Sequence, residues 1–171
     1  MPSRLATGTA RDLVQAERDI RERVGDQHLD FAAMAAVSNI YRAANVVRNH
    51  MERKVLADED LSWAAFTVLF VLWIWGEQQT RHLAVEAGVT KGTLTGVLKT
   101  LEKRGLAKRQ AHDEDGRLVL VSLEPKGEAV IERLFPAFNA SETQVSSALS
   151  DREKNQLAGL LRKIVRSVET D

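Results

Sequence analysis

The stretch that most constrains this chain is residues 80–123, TRHLAVEAGVTKGTLTGVLKTLEKRGLAKRQAHDEDGRLVLVSL. Its punctuation comes in a definite order. Thr80 can cap a short helix over 81–87, and Gly88, free to take a left-handed backbone, can stop it. Thr90 then caps a second helix to about Arg104, closed by Gly105, with Val89 in the turn between the two. Residues 106–112 and 118–123 read as strands, and the Asp115-Gly116 pair between them is a hairpin signal. Helix, turn, helix and two strands is the order of a winged helix-turn-helix, whose second helix enters the DNA major groove.

That second helix divides into two faces. At about 100° per residue, Leu94, Val97, Leu98 and Leu101 share one side and belong to a core. Gly92, Gly96, Lys99 and Lys103 lie opposite, with Thr95 at the edge. Each glycine costs a helix about 1 kcal/mol relative to alanine. Their outward placement suggests that the backbone approaches DNA closely, leaving Thr95, Lys99 and Thr93 to reach base edges. The plainer reading is that exposed glycines are merely tolerated.

Charge supports the first reading. The chain is neutral, with 24 basic and 24 acidic residues. Residues 90–109 nevertheless hold Lys91, Lys99, Lys103, Arg104, Lys108 and Arg109 against the single acid Glu102. Such clustering is the footprint of phosphate binding, although a solvated lysine face looks similar. The expected DNA contacts are Lys91, Gly92, Thr93, Thr95, Gly96, Lys99 and Lys103, joined by Arg117. The loop HDEDGR over 112–117 admits two readings. As a wing tip, Arg117 meets the minor groove or phosphate and Asp115 orients it. As a cation site it lacks the ligand spacing of a calcium loop, so no metal is expected.

The flanks read as helices. Residues 1–10 form a tail, and Leu13, Ala16, Ile20 and Val24 mark a helix over 11–24. Asp30 can cap a helix to about Val55, carrying Phe31, Met34, Val37, Tyr41, Ala44, Val47 and Met51 at a three-four rhythm. At roughly 37 Å it is too long for one small domain to cover. Pairing with a second chain is expected, a long helix in a monomeric bundle being the alternative. Ser62 can cap residues 63–75, thirteen residues that are apolar nearly all round, too few to span a bilayer. Pro125 suits the first turn of a helix to about Phe135, which Pro136 should kink or end before an extension towards Ala148. Ser150 and Glu153 form a capping box for a last helix. The expected class is mainly α with a small β-wing. A winged helix-turn-helix domain over 58–123 is flanked by dimerisation helices over 11–57 and 124–171.

There is no cysteine, which excludes disulfides, thiol chemistry and cysteine–zinc sites. No nucleophile elbow, phosphate-binding loop or dinucleotide fingerprint occurs, and the four histidines lie far apart. The chain is expected not to be an enzyme and to need no cofactor. The opening MPSRLATGTARDL has no apolar run of a signal peptide, which favours the cytoplasm. Expected partners are double-stranded DNA, a second copy and a small-molecule effector, with no membrane. The alternative is a winged-helix module that binds a protein, against which the outward lysines argue.

Several stretches together resemble the multiple-antibiotic-resistance regulator (MarR) family. LSWAAFTVLFVL is similar to the helix leading into that family's winged domain, and HLAVEAGVTKGTLTGVLKTLEKRGLAKR to its helix-turn-helix. DEDGRLVLVSLEPKG is similar to its wing and following helix. The aspartate and arginine two apart, before alternating strand residues and a later glycine, are the strongest match. The resemblance covers nearly everything beyond residue 30. It implies a homodimeric repressor on a pseudo-palindromic operator that is often released by a small molecule. Glu124 stands where the family commonly has threonine, and Gly116 replaces the first of two wing-tip arginines. The missing cysteines exclude the family's peroxide-sensing switch, and no histidine–acid cluster like that of its zinc sensors is present. The helix before residue 30 is an extra of some members. In such proteins the effector usually binds between dimer helices and winged domain. Here Tyr41, Trp63, Phe66 and Trp73 are candidates for the lining, with Arg48 or His50 for an anionic or phenolic ligand. Against that, the tryptophans and Phe66 read more readily as core, and His50 as a surface or interface residue.

Overall fold

A computed structural model describes residues 10–25, 28–111 and 118–169. Two units of structure divide within a helix, between Val46 and Val47.

In the first unit, α1 (Ala10–Val24) and α2 (Phe31–Met51) are the helices, α2 running on into the second. Gly25 ends α1 with φ +67°, its N–H bonded to Arg21 O. Asp30 caps α2 as the sequence suggests, its Oδ1 accepting from Ala33 N–H at 2.9 Å. Asn39 donates to Glu17 at 2.9 Å, and the Arg21 guanidinium lies 5.3 Å from the Phe31 ring centroid. Within this unit α2 leaves apolar side chains bare on more than one side, Tyr41 being 68% exposed and Val46 67%.

In the second unit α2 stops at Met51, short of the expected Val55, and passes into a π-helical turn over Glu52–Leu56 and a 3-10 turn over Ala57–Glu59. The extra residue of the π turn lets both Val55 and Leu56 reach the core. Ser62 caps α3 (Trp63–Trp75), accepting from Ala65 N–H at 3.2 Å, and Glu52 accepts from Trp63 N–H at 2.8 Å. Being apolar on every side, α3 becomes the central layer, with Val68 and Leu69 fully enclosed.

Around α3 come β1 (Gln78–Gln79), α4 (Thr80–Glu86), α5 (Lys91–Lys103), β2 (Ala107–Ala111) and β3 (Val119–Leu123). The antiparallel sheet has the order β1-β3-β2, with Gln78 opposite Val121 and Arg109 also opposite Val121 on the other edge. Gln79 takes the cap position of α4, so Thr80 lies one residue inside the helix rather than at its expected cap.

One uninterrupted helix, α6 (Pro125–Val145), contains Pro136, which by local rules should kink or end it near residue 135. A proline here removes one helical hydrogen bond. Packing offsets that loss: Phe138 stacks on Phe66 at 4.1 Å between centroids, and Phe135 lies 5.5 Å from Phe70 and 5.4 Å from Trp73. At its start, Gly127 is pressed against the chain after α5. A Cβ there would sit 1.9 Å from Leu106 O. The last helix, α7 (Asp151–Glu169), opens with the expected capping box, Ser150 N–H donating to Glu153 at 2.8 Å.

Candidate nucleic-acid interface

The cap of α5 orders the start of its outward face. Thr90 Oγ1 accepts from Thr93 N–H at 3.1 Å and lies 2.9 Å from the Thr93 hydroxyl. The Thr95 hydroxyl donates to Lys91 O at 2.9 Å, and Thr100 to Gly96 O at 3.2 Å. With its proton held by the helix, Thr95 offers outward only lone pairs and a methyl group. It can therefore accept from a base amino group or pack on a thymine methyl, but not donate. Leu94, Leu98 and Leu101 are buried beneath, as their periodicity requires.

Gly92 and Gly96 are exposed, and a Cβ at Gly96 would meet nothing within 4 Å. At Gly92 it would meet only Thr90 Oγ1, at 3.9 Å. Neither glycine is required by backbone angle or packing. The fold leaves both sites open on the solvent side.

The cation cluster is narrower than the sequence count. Arg109 grips Glu102 through Nε at 2.8 Å and Nη2 at 2.5 Å. Arg104 turns inward to main-chain carbonyls, and Lys108 lies 3.8 Å from Glu124. Lys91, Lys99 and Lys103 are left exposed on α5, with no ion-pair partner among the described residues. The Arg109 hydrogen bonds hold the Glu102 carboxyl below its ordinary range, against the opposing effect of burial, and raise the guanidinium in turn.

Arg81 of α4 is missing from the site residues expected on sequence. It shares with Lys91, Thr95 and Arg109 a groove of 670 Å³ floored by Ala84 and Leu98. Its position in the first turn of α4 is the signal that could have found it. Asp115 and Arg117, and the cation reading of their loop, lie outside the described residues.

Of the residues expected at an effector pocket, Arg48 and Trp63 come together. They line an open cavity of 480 Å³ with Asn49, Glu52, Gly88 and Thr90. Phe66 does not: it is 4% exposed and stacked within the aromatic core. Trp73 sits at the other end of that row, against Phe70 and Phe135. His50 is half-buried, its Nε2 enclosed without a hydrogen-bond partner, and is not part of the cavity lining. Tyr41 belongs to the first unit.

The chain is similar to known proteins in sequence and in fold. Residues 61–119 match the family model of the MarR family. Over 144 residues the chain is 38% identical to an uncharacterised HTH-type transcriptional regulator of Bacillus subtilis, YwaE, covering 84% of each. The chain belongs to the MarR family. It is 30% identical over 132 residues to the HTH-type transcriptional regulator MgrA of Staphylococcus aureus, covering 77% of this chain and 88% of that one. BpsR of Bordetella bronchiseptica, a protein whose DNA binding is regulated by 6-hydroxynicotinic acid, superposes with a TM-score of 0.71. It is 25% identical and covers 76% of this chain and 98% of its own. As a MarR-family member the chain is a DNA-binding transcription regulator and not an enzyme. Among the described residues no helix is long and apolar enough to cross a membrane.

Proposed function

We propose that this MarR-family regulator is a homodimeric repressor that reads a pseudo-palindromic operator with α5 in the major groove. The observation that carries the reading is the outward face of α5. Lys91, Lys99 and Lys103 stand there without ion-pair partners among the described residues, beside two glycines with open space above them. Lys91, Lys99 and Lys103 supply the phosphate attraction, and Thr93 and Thr95 with Lys99 meet base edges. Gly92 and Gly96 let the helix backbone come close. Arg117, oriented by Asp115, adds the wing contact.

Dimerisation is supported by apolar surface that the chain itself leaves bare. On α7, Leu157, Leu160, Leu161, Ile164, Val165 and Val168 are all exposed, in an arc of about 140°. On α2, Val37 and Tyr41, one turn apart, are in the same condition. Two recognition helices of a dimer then enter successive major grooves, about 34 Å apart.

An aromatic or anionic effector occupies the cavity where Arg48 and Trp63 meet the turn before α5. Bound there it favours one spacing of the reading heads, and a near-complete switch needs roughly 5 kcal/mol of preference. The regulation of BpsR by an aromatic acid supports this class of ligand.

The test is a gel shift at stated salt with DNA from upstream of the protein's own gene, alongside light scattering for mass. Salt-dependent binding of a dimer is expected, relieved by an aromatic acid that also quenches Trp63. A monomer, or absence of binding at low salt, overturns the operator reading. Flat tryptophan titrations across a broad set of aromatic acids overturn the effector alone.

A further inference from the structure

Arg104 ends α5, and the sequence counts it among the cations for DNA. The fold directs it elsewhere. Its Nη1 donates to Asp60 O at 2.8 Å and its Nη2 to Glu59 O at 2.6 Å. The carbonyls are those of the last residue of the 3-10 turn Ala57–Glu59 and of its cap, Asp60, which takes φ +48°, a left-handed angle that non-glycine residues adopt at some cost. The Glu59 carboxylate in turn accepts from Arg133 of α6 at 2.6 Å. Arg104's own carbonyl accepts from Lys126 Nζ, on the first turn of α6, at 3.1 Å.

A helix end normally frays because its last carbonyls lack partners. Here that end is tied on one side to the turn before α3 and on the other to α6. The guanidinium suits such a tie, because its rigid planar fork sets donors on two separate nitrogens in a fixed geometry, whereas a lysine ammonium is a single, rotating nitrogen. Two of its five N–H donors are thus held by the turn, which fixes where the guanidinium lies.

We propose that Arg104 is a positioning residue for DNA reading. It fixes the C-terminal end of α5 so that Lys99, Lys103 and Thr95 meet the groove in one register, without touching DNA itself. The inference rests on the reading of α5 as the recognition helix.

The test measures affinity for the operator fragment across a salt series for the full-length protein and its variants. Lys99→Ala is expected to lower the salt slope by about 1 per protomer, as loss of a phosphate contact does. Arg104→Lys keeps the charge but not the fork. It is expected to bind about tenfold more weakly, the loss of one well-placed base contact, at an unchanged slope. Amide hydrogen exchange over 101–104 should quicken in the same variant while α3 keeps its protection. Asp60→Gly retains both carbonyls and should bind as the natural chain does. Arg104→Gln serves if Arg104→Lys does not fold. Full affinity in Arg104→Lys, or a slope lowered by Arg104→Ala as by Lys99→Ala, overturns the positioning role while leaving the recognition helix intact. An unchanged slope in both Lys99→Ala and Lys103→Ala overturns the recognition-helix reading itself.

Discussion

Helices α5 and α7 are both amphipathic, and the fold uses them in opposite ways. The apolar side of α5 is buried against its own unit, through Leu94, Leu98 and Leu101, while its polar side is bare. In α7 the apolar side is bare, from Leu157 to Val168. A bare polar face with exposed lysines suits a polyanion, whereas a bare apolar arc suits a like surface of low dielectric. The chain thus leaves two chemically distinct surfaces bare.

Charging the apolar arc should erase this contrast and have the largest effect. Leu161→Glu with Ile164→Glu alters side chains already exposed, so each protomer should stay folded. Loss of the second reading head should weaken operator binding by about 10²–10⁴, the usual advantage of linked sites. Light scattering should show monomers. A dimer that persists would move the interface away from α7.

Next in size is the support beneath α5. Gly127→Ala would force a carbon to within 1.9 Å of Leu106 O, a backbone atom that cannot swing aside. About 3 kcal/mol of destabilisation is expected, at the upper end of overpacking costs. That lowers Tm by roughly 6–12 °C for a chain of this size, measurable by calorimetry. Gly96→Ala tests the opposite kind of glycine. With nothing near its added methyl, it should gain up to about 1 kcal/mol of stability. Operator affinity should fall nonetheless, and unchanged binding would remove the close-approach role of both glycines.

The smallest effect concerns the Glu102–Arg109 clamp between α5 and β2. The Glu102 carboxyl is depressed by its hydrogen bonds with Arg109. Its stabilisation is therefore complete above the unfolded value, about 4.3, and is lost as pH falls through the lower folded value. Tm should drop on acidification through that window, and Glu102→Gln should flatten this part of the profile. The clamp is partly exposed, so the change is small.

Much of this arrangement is legible in the residues. Ser62, Thr90 and the Ser150–Glu153 pair announce three helix starts by local chemistry, and the fold uses all three. The leucines of α5 reveal its inner face by spacing alone. What cannot be read depends on partners distant in the chain. The strand Gln78–Gln79 has no pattern and exists because β3 presents a free edge to it. Pro136 is a helix breaker by local rules, overridden by an aromatic row contributed by α3. Arg104 and Arg109 look like Lys99 in the sequence, and only tertiary contact separates the cations the fold ties down from the one it leaves exposed. For the pocket, aromatic residue type does not distinguish Trp63 at a cavity from Phe66 in a core.

The pairing of β1 with β3 has a kinetic side. Gln78 meets Val121 across a loop that contains α4, α5 and β2. Closing so long a loop is entropically slow unless the intervening elements have already shortened it. The third strand should therefore join late, after the helix-turn-helix has condensed on α3. Substitutions at Gln78 and Gln79 are then expected to hasten unfolding and leave the folding rate nearly unchanged. A chevron with a shifted refolding limb would place that strand in the nucleus instead.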